Sequence, residues 1–138
     1  MDAHRAAKQS EASPFWKLLG INLGRLEEGY AELHLPFAPH LEMVFSAMHG
    51  GALASLLDAA GGMALLGKLD LSRETIRTIE LKINYLNPVT KDQKGVIAAG
   101  RMIKRGKTVG VSSIEIRDES REIVAIGIAT YAIVPRDT

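Results

Sequence analysis

Between Glu42 and Asp70 the chain carries a single acidic residue, Asp58, inside a run from Ala47 to Gly67 that has no other formal charge. A helix built from that run is apolar nearly all round, so the rest of the chain has to bury it. Desolvating an ionised carboxylate there costs several kcal/mol, and it persists only if it is paired, hydrogen-bonded or chemically useful. A structural aspartate bridging something in the core and a functional one fit this spacing alike. The run approaches the length of a membrane span. Asp58 near its middle and five flanking or internal glycines argue against that reading and for a core helix.

With 138 residues, 46% hydrophobic and 24% charged, the chain reads as one globular domain. A net charge of +1 supplies no basic field for nucleic acid. The absence of cysteine rules out a disulfide scaffold, thiol catalysis and thiolate metal sites, and suits a reducing compartment. His4, His34, His40 and His49 are scattered rather than set at ligand spacing, so no metal site is expected. Residues 1–13 are polar, lack an apolar core of signal-peptide length and can remain disordered. Cytoplasm is the expected location.

Ser13 before Pro14 predicts an N-cap and a short helix over Phe15 to Leu19, stopped by Gly20. Ile21 to Leu26 and Tyr30 to Leu35 read as two strands around a turn at Glu27-Glu28-Gly29. An irregular loop, Phe37 to Met48, leads into the Gly50 to Gly67 helix. Gly61 and Gly62 each cost that helix about 1 kcal/mol relative to alanine, which predicts close approach of another backbone. Beyond Arg73, Ile79, Leu81, Ile83 and Tyr85 share one parity and Thr78, Glu80, Lys82 and Asn84 the other, giving a strand with one core face. Val96 to Lys104 and Thr108 to Arg117 form a hairpin turning at Gly106. In a last strand, Ile123 to Val134, both parities are apolar, as in a strand covered on both faces.

An apolar helix cradled by a curved antiparallel sheet, entered through His49-Gly50-Gly51 and carrying Asp58 nine residues after the histidine, resembles the hotdog fold. More closely, the chain resembles PaaI-like acyl-CoA thioesterases, in a pattern running from Leu19-Gly20-Ile21 through Tyr85-Leu86-Asn87-Pro88 to Arg105-Gly106-Lys107. The resemblance implies an α+β hotdog domain over residues 14–138, a curved antiparallel sheet wrapped around one long central helix. It also implies hydrolysis of an acyl-CoA thioester to a carboxylic acid and free coenzyme A, with no metal or redox cofactor.

On that reading the Gly50 amide, with or without Gly51, polarises the thioester carbonyl at the positive end of the helix and holds the developing oxyanion. Asp58 acts as general base toward water or as a nucleophile giving a transient anhydride, and the sequence leaves both open. His49 positions the carbonyl or the loop, or is a structural hydrogen bonder. Relatives commonly place an asparagine six residues before this histidine, as a substrate-binding group, where Met43 stands here. The hydroxyl that assists the water in some relatives falls on Thr78, although its parity is also that of an exposed strand threonine. Arg101, Lys104, Arg105 and Lys107 around Gly106 would meet the phosphates of coenzyme A, or form an ordinary solvated hairpin tip.

Gly50 and Asp58 are eight residues apart, about 12 Å along a helix axis, whereas an oxyanion donor and an attacking group must both lie roughly 3 Å from the reacting carbonyl. One protomer therefore cannot supply both, and a twofold homodimer would form two composite sites. The resemblance implies the same, often with dimers paired into homotetramers. Two other readings share the ligand: a noncatalytic acyl-CoA-binding or regulatory hotdog protein, and an enoyl-thioester hydratase or dehydratase. Neither a nucleic-acid nor a membrane partner is expected.

Overall fold

The apolar run forms helix α3, Gly50–Leu65, continued by a 3-10 turn over Leu66–Lys68. It is long and apolar enough, by composition alone, to cross a membrane. Here it is the core helix, because the sheet wraps it. Leu53, Leu56, Leu57, Ala60 and Leu65 are buried against Leu33, Leu35, Ala98, Ile114, Ile116, Ala129 and Tyr131. The computed structural model describes residues 2–137. In it, six antiparallel strands follow the order β1-β2-β4-β5-β6-β3. They are β1 (Asn22–Glu27), β2 (Tyr30–Pro36), β3 (Glu74–Tyr85), β4 (Gly95–Arg105), β5 (Val109–Asp118) and β6 (Ile123–Pro135). Strands β1 and β3 are the sheet edges. This is the hotdog arrangement.

Local chemistry explains the element ends. Helix α2, Pro14–Leu19, starts where the Ser13 hydroxyl accepts the Trp16 N–H and stops at Gly20, whose φ of +94° only glycine adopts readily. The β4–β5 hairpin closes through the Gly106 N–H donated to the Val109 carbonyl at 2.8 Å. Strand β4 lies so close to the helix that a Cβ on Gly100 would sit 2.4 Å from the Ala60 carbonyl oxygen.

The structure corrects three expectations. The polar N-terminal segment is not disordered but contains helix α1, Ala3–Glu11. The Asp2 carboxylate caps it, Ala7 is fully buried, and Glu11 accepts the Leu23 N–H at 2.7 Å, tying the helix to β1. In the single chain strand β6 is covered on one face only, with Ile126 and Ile128 exposed on the face away from the helix.

The third correction concerns β3. Thr78 faces Tyr131 and Glu80 faces Thr130, so Ile79 is an extra residue bulged out of the ladder. The bulge shifts the parity at Ile79. Thr78 and Leu81 both turn toward the helix side, and Ile79 is left 59% exposed.

Candidate active site

At the start of α3 the first-turn N–H groups are nearly all occupied. The Ala52 N–H goes to the His49 carbonyl, at 3.0 Å, and the Leu53 N–H to the same oxygen, at 3.4 Å. The Gly51 N–H is donated to His49 Nδ1 at 2.8 Å. The histidine is thus the N-cap, and an accepting Nδ1 requires the neutral ring to carry its proton on Nε2. Among the described residues the Gly50 N–H has no partner, and it is the donor left at the positive end of the helix dipole. Gly51, expected beside it, is occupied by the cap. The Gly50 carbonyl accepts from the Tyr85 hydroxyl at 2.7 Å, so the Gly50–Gly51 peptide is held at both ends. A Cβ on Gly50 would lie 3.2 Å from the Tyr85 ring, which explains glycine there.

Two turns along α3, the Asp58 carboxylate accepts from the Thr78 hydroxyl at 2.7 Å. That contact follows from the Ile79 bulge, which strict alternation along β3 misses. The Asp58 carbonyl accepts from the Tyr131 hydroxyl at 2.6 Å. Burial, reinforced by the nearby Asp58 charge, pushes the Tyr131 phenol well above its ordinary range, so it stays a donor. The result is a half-buried, oriented carboxylate and a free backbone donor elsewhere on the same helix. Chemically, the first can activate water or attack a carbonyl, and the second can stabilise an oxyanion.

A pocket of about 340 Å³ adjoins the helix start, lined in part by Met43, Met48, Gly50, Leu53, Tyr85 and Leu86. Met43 and Gly50 therefore line the same pocket. Val44 and Phe45, 90% and 82% exposed, form the tip of the preceding loop, and Met63 packs against the core. Tyr85 and Tyr131 are the residues that sequence reasoning missed as site-forming. Strand parity placed Tyr85 on the inner face, but nothing marked either hydroxyl as a partner for a helix carbonyl.

The basic cluster divides. Arg105 is committed to structure: its guanidinium bonds both oxygens of Glu74 at 2.6 Å, the Lys68 carbonyl at 3.1 Å and the Gly106 carbonyl at 2.5 Å. Arg101 stacks over the Tyr30 ring, 4.6 Å from its centroid. Lys104 and Lys107 remain exposed at the hairpin tip around Gly106. Arg105 thus corrects the expectation of a phosphate ligand, since its donors are already used. The tip abuts Lys68, about 15 Å along the helix axis beyond Asp58 and about 27 Å from Gly50. Among the described residues no three His, Asp or Glu side chains gather as a metal site.

Comparison with known proteins agrees with this architecture. The profile of the thioesterase superfamily matches residues 45–125, spanning the α3 start, Asp58 and Thr78. The medium/long-chain acyl-CoA thioesterase YigI of Salmonella typhimurium is 30% identical over 87% of this chain and 85% of its own. A conserved protein of Pseudomonas aeruginosa superposes with a TM-score of 0.84 at 33% identity, covering 93% of this chain and 99% of that one. The PaaI protein of Escherichia coli, from the phenylacetic acid degradation operon, shares the fold with a TM-score of 0.84 at 24% identity, over 96% and 93% of the two chains. By fold, by sequence and by the stretch that carries the oriented carboxylate, the chain belongs to the thioesterase superfamily.

Proposed function

We propose that the protein is a thioester hydrolase acting on acyl-CoA, releasing a carboxylic acid and coenzyme A. The observation that carries this is Asp58, the one charge in the core helix, with its carboxylate oriented by Thr78 at 2.7 Å. In the reaction a water oxygen adds to the carbonyl carbon and the C–S bond breaks, and the thiol leaves with a proton. Asp58 takes the proton from water, or attacks first as nucleophile. The Gly50 N–H meets the oxyanion. The apolar pocket at Met43, Met48, Leu53 and Leu86 receives the acyl group, in keeping with the medium/long-chain acyl-CoA named for YigI. Lys104 and Lys107 meet phosphate, and the reaction uses no metal or redox cofactor.

The site is composite on this reading. Gly50 and Asp58 lie about 12 Å apart along one axis, so each carbonyl is served by Gly50 of one protomer and Asp58 of its partner in a homodimer. Three features support a second copy at this face. The outward side of α3 is made of the small residues Gly51, Ala54, Ser55 and Ala59, strand β3 is an open edge, and Leu81 and Tyr85 on its inner face are exposed in the single chain. Pairing of dimers into a homotetramer, a cytoplasmic setting, and no nucleic-acid or membrane partner complete the proposal.

The test is thiol release over short, medium, long and aromatic acyl-CoAs, with enoyl hydration followed in parallel. Asp58→Asn is expected to keep the fold and acyl-CoA binding while lowering turnover at least about 100-fold. Near-normal turnover in that variant refutes the assignment.

A further inference from the structure

The most unusual contact in the core is the Tyr131 hydroxyl set against the middle of α3. In a regular helix the Asp58 carbonyl accepts the Gly62 N–H, four residues on. Here the buried Tyr131 hydroxyl donates to that carbonyl at 2.6 Å, a side-chain contact on that rung of the helix. Gly61 makes the room, since a Cβ there would lie 2.4 Å from the Tyr131 oxygen, and the ring packs against Gly62. The space left by the missing Gly61 side chain is taken by Tyr131 and Ile114, while the β4 backbone at Gly100 makes the expected close approach to the Ala60–Gly61 peptide. Ser112, fully buried on β5, holds the next part of the turn by donating to the Gly61 carbonyl at 2.9 Å.

Tyr131 and Thr78 are also direct cross-strand partners on β6 and β3. One residue pair thus grips both ends of Asp58, Tyr131 its carbonyl and Thr78 its carboxylate. We propose that Tyr131 is a positioning residue for the thioesterase reaction, fixing the backbone from which Asp58 reaches Thr78 and the substrate. The inference rests on the reading of Asp58 as the reactive carboxylate. Tyr131 touches no substrate. It acts by removing the play that an α-helix rung leaves in the Asp58 backbone, and a small misplacement of a catalytic group can cost up to about 100-fold in rate.

The test is Tyr131→Phe in the full chain, alone and combined with Asp58→Asn. Alone, it is expected to lower kcat about tenfold with KM within about twofold of wild type. With Asp58→Asn already present it is expected to change the residual turnover less than about twofold, because the group it positions is gone. Wild-type kcat in Tyr131→Phe, or an equal loss in both backgrounds, overturns the inference. If Tyr131→Phe does not fold, Gly61→Ala displaces the hydroxyl while keeping the ring. A folded Gly61→Ala protein with unchanged kcat is then the overturning result, and a tenfold loss supports the proposal. Turnover retained by Asp58→Asn refutes the Asp58 reading together with this inference. An inactive Asp58→Asn beside an unaffected Tyr131→Phe refutes this inference alone.

Discussion

Thr78→Val isolates one hydrogen bond at the candidate site with little other change. Valine matches threonine in shape and favours strands, so β3 and its bulge are expected to survive. What is lost is the O–H donated to the Asp58 carboxylate at 2.7 Å. A hydrogen bond to a charged acceptor contributes about 1.5–3 kcal/mol. Without the donor the carboxylate is free to leave the geometry in which it meets water. Positioning dominates where a site depends on alignment, so kcat is expected to fall about 10- to 100-fold, equivalent to about 1.4–2.7 kcal/mol of barrier. Thr78 does not line the pocket at the helix start, so KM is expected to stay within about twofold. Thr78→Ser, which keeps the hydroxyl, is expected to recover most of the rate. The chain has no cysteine, so a thiol-trapping assay reads only coenzyme A. If Thr78 were merely an exposed strand residue, the valine variant would show full activity and a stability change within about 0.5 kcal/mol. That result refutes the reasoning.

Mixing Asp58→Asn chains with chains disabled at Gly50 is expected to restore activity to a quarter of the sites under random exchange, because one site draws Gly50 and Asp58 from different protomers; no recovery, with exchange verified by a tagged subunit, places each site within one chain. Charge reversal at Lys104 and Lys107 is expected to raise KM for acyl-CoA about threefold or more and flatten its salt dependence, leaving an acyl-pantetheine substrate unaffected. Arg105→Ala is expected instead to lower the Tm and leave KM within about twofold, since its donors hold Glu74, Lys68 and Gly106; a selective KM effect contradicts this. The Glu74 carboxyl is held below its ordinary value of 4.5, first by the Arg105 hydrogen bond and then by the Asp70 N–H. Its contribution is therefore complete above pH 4.5 and is lost as pH falls through the lower folded-state value. Urea unfolding of Glu74→Gln below pH 4.5 is expected to show a shallower acid-side loss of stability than wild type, and parallel curves contradict the assignment.

Periodicity made most of the fold legible. The core helix, the β4–β5 hairpin at Gly106 and the Ser13 cap lie where the pattern puts them, because each depends on neighbours within a few residues. What sequence reading missed depends on tertiary partners. Helix α1 is short, with one buried alanine and a mooring from Glu11 to Leu23 twelve residues away. Arg105 looked free because its partner, Glu74, is thirty-one residues distant. On β3, counting by twos set Thr78 opposite the apolar face. A single bulged residue reverses such a count without leaving any mark in composition.

The same geometry bears on the rival chemistries. Binding acyl-CoA needs a pocket and cations, and neither calls for a carboxylate in an otherwise uncharged helix, with Thr78 on its side chain and Tyr131 on its carbonyl. Hydration of an enoyl thioester needs a second proton-transfer group beside the first. The histidine at the helix start, His49, accepts the Gly51 N–H on Nδ1 and so carries its proton on Nε2. While it caps the helix it has no lone pair for a base. Along α3 that leaves Asp58 as the one group able to accept a proton and the Gly50 N–H as the donor for an oxyanion. One base and one oxyanion donor suffice for acyl transfer to water, whereas hydration would require His49 to release the helix start that it holds.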